Sequence, residues 1–273
     1  MTALRGDPSR DTCFIIDYRM VRMPDFALLF LAGIIAGIMN AVAGGGTFIS
    51  FPALVFTGVP PVIANATSTV AALPGYLAAT IGFRRDIAAL TDAPLKKLSL
   101  WTVVGGAAGS ALLLISSNQT FALLVPFLLL LATVVFYWSE PVRHLAARWR
   151  SVVVPFGLGT LLPVAIYGGY FNGGLGIILL ALFAMWGMSD LHQMNGLKSW
   201  LSFALSVIAF AIFAFAGKIV WGPAAIMSAG TIMGGYAGPA ISRRIPLRIL
   251  RLLIAAVGFG MSAIFFWRLI KGV

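Results

Sequence analysis

The stretch FALLFLAGIIAGIMNAVAGGGTFISFPALVFT, residues 26–57, decides the fold. As one straight helix it would be about 48 Å long at 1.5 Å per residue. A bilayer hydrocarbon core is only about 30 Å thick. Its centre is polar and glycine-rich: Asn40-Ala41-Val42-Ala43-Gly44-Gly45-Gly46-Thr47. Such a run weakens a helix. Irregular backbone at membrane depth is tolerated only when buried in protein or lining a cavity. The stretch therefore reads as two shorter helices meeting at a break inside the protein.

A second stretch behaves the same way. Residues 152–187 would make a helix of about 54 Å, and they are interrupted by Asn172-Gly173-Gly174-Leu175-Gly176. Six further apolar units, 62–83, 99–116, 120–138, 194–216, 219–240 and 248–268, have the ordinary length of a single membrane crossing.

Composition agrees. The 273 residues are 60% apolar and 10% charged, where a soluble domain has about a quarter of its residues charged. The surface of a soluble globule cannot be built from this chain, and disorder needs the opposite composition. The fold class expected is an all-α integral membrane protein.

The two breaks belong to an internal repeat. Gly37 and Asn40 match Gly169 and Asn172 at one offset. Gly58-Val59-Pro60-Pro61-Val62-Ile63-Ala64-Asn65 parallels Gly187 through Asn195 with one insertion. Gly105-Gly106-Ala107-Ala108-Gly109 matches Gly234-Gly235-Tyr236-Ala237-Gly238. The expected organisation is a tail over 1–24, repeat 1 over 25–139, a basic cytoplasmic linker over 140–151 and repeat 2 over 152–273. Each repeat is a glycine-broken helix pair plus three transmembrane helices. The Gly-rich runs in 105–109 and 234–238 have small-xxx-small spacing, which suits close helix packing.

The net charge of +11 sits in short loops and so reads as a topology signal rather than a nucleic-acid footprint. Arg84, Arg85, Lys96 and Lys97 form one basic loop, and Arg143, Arg148 and Arg150 mark the linker. Both should be cytoplasmic, and the uncharged turn at Ser116-Ser117-Asn118-Gln119 external. If 152–187 crosses an even number of times, the loop with Arg243, Arg244 and Arg248 is cytoplasmic too, and the repeats are inverted. Symmetry then places the N-terminus outside, while Arg19 and Arg22 argue for inside. No apolar region precedes a small-residue cleavage site in residues 1–24, so a cleaved signal peptide is not expected.

The spans hold almost no acids: Asp25, Asp86, Asp92, Glu140 and Asp190 all lie at span ends or in loops. Lys198 lies well inside a span, three residues after Asn195 and on the same helix face. It is either a lysine snorkelling to the interface or a cation facing an anion path. Asn65, Thr67 and Ser68 occupy the matching region of the first half. They either bond a neighbouring helix or offer donors to a substrate. Half-helices that begin after a break present free N–H groups and a positive dipole end, which suits sulfate, phosphate or carboxylate. With no acid opposing them, a small anion is favoured over a cation. Broken-helix carbonyls can also hold Na⁺.

Other chemistry is not expected. One cysteine (Cys13) and two separated histidines (His144, His192) cannot supply a zinc site. There is no Walker A sequence, nucleophile elbow or HExxH. No cofactor is implied.

The run from Gly33 through Asn40, Gly44-Gly45-Gly46-Thr47, Ser50 and Pro52, followed by Gly58-Val59-Pro60-Pro61 and Asn65-Ala66-Thr67, resembles the TauE/SafE family of sulfite exporters. The resemblance covers nearly all of residues 25–270, although the second break lacks the triple glycine. It implies a multi-pass permease of the bacterial inner membrane. The cargo implied is sulfite, sulfoacetate or a related organosulfonate, moved outward. Its motifs fall on Gly44, Gly45, Gly46, Asn65 and Thr67.

The joint expectation is a secondary permease with a midplane site lined by Asn40, Gly44, Gly45, Gly46, Thr47, Asn65, Thr67, Ser68, Asn172, Gly173, Gly174, Asn195, Lys198 and Ser199. Another small anion, or a Na⁺-coupled solute, is the rival cargo. A membrane enzyme lacks a convincing catalytic pair. The partners expected are a small anion and the lipid bilayer, with no nucleic acid. A homodimer through small-residue stripes stays open.

Overall fold

The computed structural model describes residues 23–91, 93–138, 141, 144–145, 154–242 and 247–271. The expectations placed on tail residues 1–22, Asp92, most of the 140–151 linker, and Arg243 and Arg244 lie outside the described residues.

The described residues are mainly helical, with no strand among them. The first half runs α1 (Met23–Val42), α2 (Thr47–Phe56), α3 (Pro61–Gly82), α4 (Arg84–Ala88), α5 (Leu95–Ile115) and α6 (Asn118–Tyr137). The second runs α7 (Leu158–Tyr170), α8 (Leu175–Met185), α9 (Leu191–Phe215), α10 (Trp221–Ser242) and α11 (Leu247–Lys271). Apart from the five-residue α4, the order is the same in both halves: a broken pair, then three long helices. Five helices among the described residues are long and apolar enough to cross a membrane, namely those covering Asp25–Val42, Pro61–Gly82, Leu95–Ile115, Asn118–Val135 and Leu191–Phe215.

Local chemistry sets the ends. Pro61 opens α3, where its missing N–H costs nothing and its fixed φ suits a helix. The Asp190 carboxylate caps α9, accepting from His192 N at 2.8 Å and Gln193 N at 3.3 Å. Gly58 and Gly187, at matching positions, end the short helices α2 and α8 with φ of 88° and 90°, a left-handed conformation that favours glycine.

The breaks fall where the glycines are. Gly44, with φ of 82°, ends α1 by donating from its N–H to Met39 O. Gly174, with φ of 74°, precedes α8. α2, α7 and α8 hold 10, 13 and 11 residues. At about 1.5 Å per residue, none of the three reaches across about 30 Å of hydrocarbon.

Helix directions follow from side-by-side residues. α1 runs parallel to α10, with Gly33 against Gly230 and Gly37 against Thr231. α3 is also parallel to α10, with Gly75 against Thr231 and Gly82 against Pro239. α5 runs parallel to α7, where Gly105 meets Ala165 and Gly109 meets Gly169, and parallel to α9, where Ser99 bonds Trp200 and Gly106 meets Leu205. α3 is antiparallel to α9. Its end, at Phe83, lies on Gly196, and its start bonds Val220 just beyond the end of α9. α7 and α9 therefore start at one end of the bundle, so the α7–α8 pair enters and returns there, as an even crossing requires. α1 starts at the end opposite Arg84 and Arg85.

The expected close packing of 105–109 and 234–238 is present. A Cβ on Gly109 would collide with the Ile166 carbonyl, and one on Gly234 with the Ile34 carbonyl. In lipid such backbone approach is a main source of helix association. Two apolar clusters flank the middle of the bundle. One centres on Phe51, whose ring lies 5.9–6.4 Å from those of Phe121, Phe171 and Phe265. The other gathers Leu98, Leu161, Phe183, Trp186 and Leu201.

Candidate functional site

The two breaks meet. Gly44 lies with its backbone against Gly176, in the first turn of α8, so closely that a Cβ on either would overlap the other's Cα. The contact needs glycine on both sides, and Gly44 also needs its positive φ. Around it the first break is closed by Asn40, whose Oδ1 accepts from Gly46 N at 2.8 Å. Thr47 Oγ1 reaches across and donates to Asn172 O at 3.4 Å.

Lys198 lies at this junction. Its side chain is fully buried, and its Cδ packs beside Gly176. Nζ donates to Asn195 Oδ1 at 2.6 Å and to Ala41 O, in the last turn of α1, at 3.1 Å. The interfacial reading of Lys198 is thus excluded by its burial and its bonds. Both partners are neutral. An ammonium has three donors, and two are used. Neither bond is to a carboxylate, so no bonded acid competes with an anionic ligand for this amine.

Asn172 follows α7 and is buried, and neither its Oδ1 nor its Nδ2 has a hydrogen-bond partner. Buried Tyr76 of α3 is a polar neighbour of that amide. Asn65 Nδ2 donates to Tyr170 O at 2.9 Å, while its Oδ1 is unpartnered. A buried unpaired polar group costs about 1–3 kcal/mol, so unmet amides of this kind point to a ligand or water partner.

The structure thus joins Asn40, Gly44, Gly46, Thr47, Asn172, Asn195 and Lys198 in one connected group. Other expected residues have structural partners. Gly45 O accepts from Phe48 N. Thr67 Oγ1 accepts from Val220 N at 3.2 Å. Ser68 pairs with Ser50 at 2.6 Å between hydroxyls. Ser199 donates to Asn195 O at 2.8 Å, as Thr69 does to Asn65 O at 2.9 Å. Gly173 O accepts from Tyr167 Oη, and Gly174 packs on Ala132 and Phe48.

Sequence reading missed Ser50, Tyr76, Tyr167, Tyr170 and Gly176. The signal for Tyr167 and Tyr170 was a phenol inside an apolar span, which must find a partner. For Gly176 it was a glycine four positions after Asn172, matching Gly44 four positions after Asn40.

Compared with known proteins, the profile described as Sulfite exporter TauE/SafE matches residues 29–265. The chain belongs to the TauE/SafE family. A "Probable membrane transporter protein" of Haemophilus influenzae is 30% identical over 87% of this chain and 92% of its own length. The "Probable membrane transporter protein ORF9" of a Sinorhizobium species is 26% identical over 86% and 90%. "Probable membrane transporter protein YfcA" of Escherichia coli K12 is 26% identical over 86% and 87%. No solved structure matches the chain. This TauE/SafE chain is a multi-pass bacterial membrane transporter, not an enzyme. Its Asn40–Thr47 break lies inside the matched region, as do Asn172, Asn195 and Lys198.

Proposed function

We propose that the chain is a secondary permease for a small sulfur-containing anion: sulfite, sulfoacetate or a related organosulfonate. It moves the anion outward across the inner membrane through a site formed where the two broken helices meet. The observation that carries this reading is fully buried Lys198, bonded to neutral Asn195 and Ala41 at the junction where Gly44 meets Gly176. An oxyanion would find there the Lys198 amine and the side-chain amides of Asn172 and Asn195.

The carbonyls argue against a bound cation. Ala41 O, Asn172 O and Gly173 O already accept from Lys198, Thr47 and Tyr167. Each such bond occupies a lone pair that Na⁺ would otherwise use at the breaks.

The architecture fits alternating access. Among the described residues, a broken pair followed by three long helices occurs in α1–α6 and again in α7–α11, and the matching helices α3 and α9 are antiparallel. Inverted repeats with paired broken helices are a common transporter plan. Asn40, Asn172, Asn195 and Lys198 are all buried, which fits a site closed to both sides. With Arg84, Arg85, Lys96 and Lys97 cytoplasmic, α1 starts outside. The membrane potential, negative inside, then drives an anion out at about 2.3 kcal/mol per charge per 100 mV.

Sulfite efflux from proteoliposomes tests the cargo. Sulfoacetate should compete, and a phosphonate of similar size should compete less well. Phosphonate efflux faster than sulfite efflux would replace the sulfur anion with another cargo on the same site.

A further inference from the structure

Hydroxyls on these apolar helices commonly return to their own backbone. Thr69, Thr80, Ser99, Thr133 and Ser199 each donate to the carbonyl four residues earlier. Ser202 and Ser206 of α9 do not. Their side chains are buried, and neither Oγ has a hydrogen-bond partner.

Their position is regular. At about 100° per residue, Asn195, Ser202 and Ser206 fall within about 40° of one line along α9, with Lys198 and Ser199 on either side of it. The line covers about 16 Å of helix axis. It starts at Asn195, which holds Lys198 Nζ, and runs away from the cytoplasmic contact of Gly196 with Phe83. Thr102 of α5 is a third buried hydroxyl without a partner. The Ser99–Trp200 bond and the Gly106–Leu205 contact bracket it, at the level of Ser202. Three unpaired hydroxyls, beyond a buried cation and on the side away from the cytoplasm, are donors without an acceptor.

The geometry points to Ser202 and Ser206, with Thr102 beside them, as a second oxyanion station that takes a sulfite-like or sulfonate anion from Lys198 and Asn195 toward the outer end of α9. This inference rests on the anion-permease reading. Ser262 of α11 is also buried and unpartnered, but α11 packs mainly on α6 and α2, so it serves as the control.

The test uses the full chain in proteoliposomes. In a Cys13→Ser background, which removes the single cysteine, Ser202→Cys and Ser206→Cys are treated with sulfonatoethyl methanethiosulfonate, itself a sulfonate anion. Both cysteines should be modified during sulfoacetate transport. Sulfoacetate flux should fall about tenfold in the Ser202→Ala/Ser206→Ala double variant, the loss expected when about 1.4 kcal/mol of anion binding is removed. Ser262→Ala should transport like wild type. With wild-type flux intact, a double variant that transports normally overturns the serine station, as do cysteines that stay unmodified in a transporting variant. A wild-type protein that moves neither sulfite nor sulfoacetate overturns the parent reading and this inference with it.

Discussion

At the scale of single residues, the chemistry concentrates on Lys198. Replacing a buried charge with an apolar side chain of similar shape is often neutral or stabilising, whereas stranding a charge is costly. Lys198→Met should therefore fold and accumulate like wild type, with a melting temperature unchanged or raised. Its sulfite flux at low concentration should still fall at least about tenfold. A hydrogen bond to a charged group is worth about 1.5–3 kcal/mol, and about 1.4 kcal/mol is a factor of ten. Thermal melting in detergent beside a flux assay checks both halves. A variant that loses flux only because it fails to fold would give Lys198 a structural role. Asn40, Asn195 and Lys198 were legible in the sequence because polar residues are rare in apolar spans. The bond from Lys198 to Ala41 O was not, since it joins a side chain to a backbone carbonyl of the other half. Thr67 shows the opposite case: a polar residue in the right segment whose hydroxyl is bonded to the start of α10.

At the scale of elements, glycine spacing explains how the helices approach. Gly109→Ala would place a methyl group against the Ile166 carbonyl and within 2.7 Å of Tyr170 N. It should cost about 1–3 kcal/mol by overpacking, read as a lower melting temperature. Gly222→Ala meets nothing within 4 Å and should be neutral or stabilising by up to about 1 kcal/mol. Equal melting of the two variants would contradict the packing assigned to α5 and α7. The long helices were legible to within a few residues, because apolar length is a strong signal in a membrane protein. α4 was not, because five residues carry no periodicity. It is held by Phe83 and Ile87 against Gly196, a contact between distant segments.

At the scale of the molecule, the account requires that α1 start outside. Cys13, the chain's single cysteine, should react with a membrane-impermeant maleimide in intact spheroplasts. Labelling only after lysis would reverse the orientation. The two glycine breaks were legible from matching Asn and Gly positions. Their meeting at Gly44 and Gly176 was not, because it depends on how the halves pack. The central claim is that these breaks form an anion site around Lys198. Sulfite efflux from loaded proteoliposomes bearing wild type or Lys198→Met tests it most directly. The account predicts fast efflux from wild type and efflux at least about tenfold slower from Lys198→Met; equal efflux from the two proteins would contradict it.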